Sequence, residues 1–427
     1  MAVWSIVILL ALVLGAVPVA AVLGVLSLSL DQLYMDGRLS LALGEFVWDK
    51  SKEFILVAVP MFILLGEIML RAGIAQKMYA AVIQWLSWLP GGLMHANIGS
   101  STIFAATSGS SVATAATVGT VAYPEVEKRG YNERLFLGSL AAGGTLGILI
   151  PPSINLILYG LITDTSVPEL YLAGVFPGMI LAGLFMGVII VACLMRPKWG
   201  GQRVETSWGQ RMRTLPDLVP PLMLFLVVVG SIYAGVATPT EAASVGVVFA
   251  CILAAWNRTL SINMLKEAFE GTMRTTAMIM LIILAAVFLN FILGFIGITQ
   301  VIIQGIAELG LTPLETMLII IVFYLFLGMF METLSMMLTT VPIVFPIIAH
   351  LGYDPVWFGI MITVLMETAL ITPPIGVNLY VVHGIRPTGK FNDVAIGSAP
   401  FVAAMLAMIF LLLALPDVAL WLPSQFY

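Results

Sequence analysis

The chain has 427 residues, of which 60% are hydrophobic and 10% charged, with a formal net charge of -5 and a mean hydropathy of +1.08. That balance excludes a soluble multidomain protein, in which about a quarter of the residues are charged, and places the chain in a bilayer. Its charges sit in short clusters between long apolar runs, so nucleic acid is not a partner, and Cys193 and Cys251, both in apolar stretches, build neither a disulfide framework nor a thiolate metal site.

Residues 4–28 are apolar and precede the first basic residue, Arg38. A run of that length reads as a retained first crossing helix instead of a secretory signal, which needs a positive start and a shorter apolar run. Segments 31–53 and 76–90 mix Trp, Tyr and charges with apolar residues, the composition of helices lying at the interface. Full crossings are expected at 54–70, 171–195, 218–235, 241–256, 278–295, 314–330 and 399–420, with another interfacial segment at 256–274. The loop 196–217 carries Arg196, Lys198, Arg203, Arg211 and Arg213 against Glu205 and Asp217, which puts it on the cytoplasmic side.

That loop divides the chain into halves that repeat. Pro124 recurs as Pro346, Gly130-Tyr131 as Gly352-Tyr353 and Pro151-Pro152 as Pro373-Pro374, all at an offset of 222 residues. Thr117 and Phe136 keep the same register with Thr339 and Phe358. Paired repeats with interrupted helices are a signature of secondary transporters, whose substrate site lies near the midplane at the repeat interface.

Two interruptions occur in each half. Residues 93–124 have arms too short to cross on either side of Ser108-Gly109-Ser110-Ser111, so a re-entrant hairpin with a buried tip is expected. The second hairpin places Glu332 and Thr333 at its tip. A carboxylate there costs about 2.5–3.5 kcal/mol at a helix centre and marks an ion or substrate path, unless it braces the hairpin backbone. The other interruption is the double proline in 143–155, matched in 366–378. Proline removes an amide donor and clashes one turn back, freeing carbonyls that, with Ser and Thr oxygens, suit Na+.

Six stretches, PMFILLGEI at 60–68, SGSSVATAATVG at 108–119, GGTLGILIPPS at 143–153, AGVFPG at 173–178, TPTEAA at 238–243 and ITPPIGVN at 371–378, resemble the large membrane subunit of tripartite ATP-independent periplasmic (TRAP) transporters. The resemblance implies an all-α polytopic protein with two repeats, read as inverted, each holding a hairpin and a Pro-Pro broken helix. It implies an elevator-type, sodium-driven importer of organic acids in a bacterial inner membrane. Its partners would be a small membrane subunit, here a separate polypeptide, and a periplasmic substrate-binding protein.

On this resemblance two or more Na+ ions are expected. One would lie among Ser108, Ser110, Gly147, Ile150 and Pro152, the other among Gly328, Glu332, Thr333, Ala369, Thr372 and Pro374. Substrate would lie near Ser153, Asn155, Glu332 and Asn378. The chain divides accordingly into scaffold and arm at 1–92, a transport core at 93–165, a scaffold helix and linker at 166–217, scaffold and arm at 218–313, a second core at 314–386 and a scaffold helix at 387–427. The Ser, Thr, Asn and Glu content of the expected site suits a sialic acid-type sugar acid slightly better than a C4-dicarboxylate. An ATP-driven permease and an intramembrane hydrolase lack their motifs. A standalone ion-coupled symporter or antiporter with the same repeats is the remaining alternative.

Overall fold

The computed structural model describes residues 17–427 apart from 203 and 387, together with residues 8, 11, 12 and 15. Among them the chain is helical, with one isolated β-bridge between Tyr131 and Gly200. Among the described residues seven helices are long and apolar enough to cross a membrane, or eight if the bent pair Glu133–Leu149 and Ile154–Thr163 counts as one span.

The crossing expected at 4–28 lies partly outside the described residues. What is described there is a helix over Val19–Met35, which starts after Pro18. It runs into the segment expected at the interface because Asp31, buried at 1% exposure, closes the following turn by accepting the backbone N–H groups of Leu39 (3.1 Å) and Ser40 (2.7 Å). The segment expected at the interface therefore leaves that helix only at Gly37 and continues through Leu43–Ser51.

A second difference concerns 256–274 and 278–295, which form one continuous helix, Ile262–Ile296, of 35 residues. It contains no proline, is capped by Ser261 and ends at left-handed Gly297, so nothing breaks it. At 1.5 Å per residue it is about 52 Å long, more than a bilayer core needs.

Helix–turn–helix pairs stand at both expected hairpins, but in the second Thr333–His350 is itself long enough to cross, whereas Pro313–Gly328, where a full crossing is expected at 314–330, is a shorter helix of 16 residues. The first has arms Leu93–Ser108 and Ser111–Ala122 and turns at Gly109, whose φ of 58° lies in the left-handed region. The second has arms Pro313–Gly328 and Thr333–His350. The broken helices are Glu133–Leu149 with Ile154–Thr163, bent by 43°, and Pro355–Leu370 with Val377–Ile385. The Pro151-Pro152 and Pro373-Pro374 peptide bonds are both cis.

The long helix Val167–Met195 orients the two hairpins. Gly91, at the base of the first, lies against Ile189 and Cys193, whereas Gly359, just past the second, lies against Leu170 and Tyr159. On that helix Leu170 is about 30 Å from Ile189 and Cys193, so the base of the first hairpin and the start of the second broken helix lie at opposite ends of it. The base of the first adjoins the basic loop: Asn132 N–H donates to the Trp199 carbonyl and Gln202 N–H to the Arg129 carbonyl. Beside it the Arg129 guanidinium holds the Glu125 carboxyl below the usual carboxylate range.

Small residues let the pieces nest. Gly143 faces Ser101 of one hairpin arm and Gly144 faces Ala115 of the other, so both arms pack directly on Glu133–Leu149. A buried polar chain runs through this packing, from Tyr79 to Asn97 (2.8 Å) and from Asn97 to Ser139 (2.9 Å). Across the same helix Gly138 meets Gly397 of Phe391–Ala414.

The two hairpin-and-broken-helix units pack on each other. Val167–Met195 and Phe391–Ala414, which the sequence assigns to the scaffold, pack on the same body, against Glu133–Leu149 and Pro355–Leu370. Val19–Met35, Ala58–Arg71, Val219–Tyr233, Pro239–Trp256 and Ile262–Ile296 pack among themselves as a second group.

Candidate functional site

A cavity of about 180 Å³ lies where the hairpin tips meet the second group of helices. Its walls come from Ser108–Ala113 of the first tip, Glu332–Leu334 of the second, Asn155 beyond the first break, Gly66 and Glu67 on Ala58–Arg71, and Thr275 on the long arm helix. Its lining contains no Lys or Arg.

Each tip begins a helix whose first N–H groups need acceptors. Ser110 caps Ser111–Ala122, its Oγ accepting from Ala113 N–H (3.4 Å). Glu332 caps Thr333–His350 by accepting from Ser335 N–H (3.2 Å), the Thr333 hydroxyl (3.2 Å) and the Ser335 hydroxyl (3.4 Å). The backbone brace anticipated for this carboxylate is thus present, while the same residue lines the cavity. Ser108 Oγ lies 2.8 Å from Thr114 Oγ1, which also donates to the Ser110 carbonyl (2.8 Å).

Most of the first expected cation set is brought together. Gly147 lies so close to the tip that an added Cβ would stand 2.6 Å from the Ser110 carbonyl oxygen, and a Cβ on Gly109 would stand 2.8 Å from the Pro152 carbonyl oxygen. Ile150 ends the first half-helix and packs its side chain on Gly178. In the second set, Gly328 abuts Ala369. Thr372 and Pro374, however, line a separate cleft with Tyr380 and Phe391, and the Thr372 hydroxyl donates to the Thr368 carbonyl (2.7 Å).

Of the expected substrate residues, Asn155 and Glu332 line the cavity. Asn155 is 2% exposed and its Nδ2 has no partner among the described residues. Ser153 is fully buried as the cap of Ile154–Thr163. Asn378 is also fully buried, its Nδ2 donating to the Ala141 carbonyl (3.4 Å) away from the cavity lining.

Sequence reasoning passed over Glu67, Thr275, Ser111 and Glu367. Glu67 lines the cavity and is ion-paired with Arg71, which also lies 3.5 Å from Glu267. Its one sequence signal is the spacing of four residues between the two charges on one helix face. Glu367 lies in the second broken helix and accepts the Ser111 hydroxyl of the first tip at 2.6 Å, a pairing across 256 positions that no local pattern announces.

Residues 6–418 match the family described as "Tripartite ATP-independent periplasmic transporter, DctM component". The chain is similar to the C4-dicarboxylate TRAP transporter large permease protein DctM of Rhodobacter capsulatus, 34% identical over 97% of each chain. It is also similar to the sialic acid TRAP transporter large permease protein SiaM of Vibrio cholerae, 30% identical over 88% of this chain and 87% of that one. In fold it is similar to the crystal structure of the Alcanivorax borkumensis YdaH transporter, with a TM-score of 0.63 at 15% identity, covering 99% of this chain and 98% of that one.

Proposed function

We propose sodium-driven import of small organic acids for this chain, which belongs to the DctM component family of tripartite ATP-independent periplasmic transporters. As a member it is a multi-pass protein of the bacterial inner membrane and a permease for organic acids. The finer reading concerns the driving ion, the substrate and the motion.

The cavity between the tips carries the proposal. An organic anion entering it meets the carboxylates of Glu67 and Glu332 and no Lys or Arg in the lining. Arg71, the near cation, is already paired with Glu67. Anion binding in so weakly polarisable a place needs positive charge, which sodium brought to the tips would supply together with the partial positive ends of Ser111–Ala122 and Thr333–His350. The donors present fit sodium: the hydroxyls of Ser108 and Ser110 and carbonyls beside Gly147 and Pro152 are hard oxygens. At the second tip Glu332, Thr333 and the backbone around Gly328 and Ala369 would serve.

The cavity of about 180 Å³ falls below the roughly 300–1,000 Å³ of drug-sized sites. A four-carbon diacid suits it better than a sialic acid-type sugar acid, against the lean taken from composition. The hydroxyls of Ser108, Ser110, Ser111, Thr275 and Thr333 around it support the sugar acid as a second reading. Delivery by a periplasmic binding protein and assembly with a small membrane subunit belong to the same proposal. Uptake into proteoliposomes containing all three parts tests it. Uptake requires an inward sodium gradient and the binding protein, and undiminished uptake with potassium replacing sodium refutes the sodium drive. Competition between labelled C4-dicarboxylate and sialic acid decides the substrate.

A further inference from the structure

Two buried oxygen acceptors in the packed body lack any hydrogen-bond partner among the described residues: Glu367 Oε1 and Asn378 Oδ1. Glu367 is 1% exposed and Asn378 is fully buried, and neither lines the cavity between the tips.

Glu367 bonds Ser111, and Asn378 lies across Gly144 from it. The hydroxyl of Ser111 donates to Glu367 Oε2 at 2.6 Å. Its carbonyl oxygen and Asn378 Nδ2 stand 3.1 Å and 3.0 Å from the one point that a Cβ on Gly144 would occupy. Gly144 therefore has no side chain because Asn378 and the start of the hairpin arm fill that space. The helices that carry these groups, Ser111–Ala122, Glu133–Leu149, Pro355–Leu370 and Val377–Ile385, pack on one another.

A fully buried carboxylate with a single hydrogen-bond donor is costly in a membrane interior unless a positive charge offsets it. Among the described residues the one hydrogen-bond partner of Glu367 is Ser111, and no basic side chain pairs with it. Asn378 Oδ1 is a second hard oxygen that a cation would satisfy, and the Ser111 hydroxyl beside Glu367 is a third. Such neutral and anionic oxygens suit an alkali cation better than a transition metal.

We propose that Glu367 and Asn378, with Ser111, hold a sodium ion at a site separate from both expected tip sites. It joins the two halves of the chain, because Glu367 and Asn378 come from the second and Ser111 from the first. Sodium there neutralises Glu367 and locks the first tip against the second broken helix. The inference deepens the sodium-driven reading and rests on it for its role in transport, while the ion count tests the site itself.

The test is equilibrium binding of labelled sodium to the purified chain with any subunit that co-purifies, comparing wild type, Glu367→Gln and Glu367→Asp. Wild type saturates with one more ion per chain than Glu367→Gln. Glu367→Asp keeps that ion with affinity weaker by at least about tenfold, the scale on which misplaced ligation changes metal affinity. Equal counts in wild type and Glu367→Gln overturn the site. Should Glu367→Gln not accumulate as folded protein, Glu367→Asp decides, and an unchanged binding isotherm overturns it. Equal counts alongside sodium-driven uptake reject this site alone. A lost ion alongside sodium-independent uptake keeps the site and rejects the drive.

Discussion

Gly147→Ala tests whether the first tip must sit tightly on the broken helix. The substitution adds one methyl, which would stand 2.6 Å from the Ser110 carbonyl oxygen, 2.8 Å from the Ser110 carbonyl carbon and 2.8 Å from Thr114 Oγ1, where ordinary contact is 3.4–4 Å. Two of the three neighbours are backbone, so no flexible side chain can swing away. Overpacking of this kind costs typically 1–3 kcal/mol. Helix propensity slightly offsets it, because Ala is favoured over Gly by about 1 kcal/mol in a helix interior. If the remaining cost, up to about 2 kcal/mol, falls on the sodium-loaded tip, half-saturation by sodium rises by up to roughly 30-fold. The control is Gly183→Ala on Val167–Met195, where an added Cβ meets nothing within 4 Å. Both variants are reconstituted with their partners, matched for folded protein by gel filtration, and assayed for uptake across a sodium series. An unchanged sodium half-saturation in Gly147→Ala, with folded protein at wild-type abundance, refutes the proposed role of the tip contact.

Ser108→Ala removes an oxygen 2.8 Å from Thr114 Oγ1 and is expected to weaken sodium dependence more than abundance; the reverse pattern, less folded protein with unchanged sodium dependence, assigns Ser108 to packing. Arg386→Ala removes a side chain that is fully buried and bonded to Glu133 at 2.9 Å, with Asp393 at 3.6 Å. Because Asp393 retains Arg134 at 2.9 Å and Glu133 is partly exposed, the loss is expected to be about 2 kcal/mol, below the 3–5 kcal/mol of a fully buried broken pair, read as a lower unfolding temperature in detergent. Spin labels on Ser111–Ala122 and on Val219–Tyr233 are expected to move by several ångströms along the membrane normal between sodium-free and sodium-plus-substrate conditions. A fixed distance in all transport-competent conditions rejects a translating core.

Much was decided locally by the sequence. The short-armed run around Ser108-Gly109-Ser110-Ser111 had to turn back, because about 15 apolar residues cannot cross a bilayer core, and the structure turns at Gly109. The double prolines had to open their helices, since each removes a donor wherever it is placed. The register shared by Pro124 with Pro346 and by Pro151 with Pro373 pointed to a paired organisation, because punctuation residues act through their own backbone and need no distant partner. Tertiary structure decided what depends on distance through space. Composition separated 256–274 from 278–295, yet without a breaking residue they run on as Ile262–Ile296. Apolar pattern alone could not say which body Val167–Met195 and Phe391–Ala414 join, since in a membrane a lipid-facing and a protein-facing surface read alike. That choice came from close fits such as Gly138 against Gly397. Nor could a carboxylate in an apolar run reveal its partner. Glu332 caps its own helix within three residues, whereas Glu367 finds Ser111 only because the two broken helices bring opposite halves of the chain together.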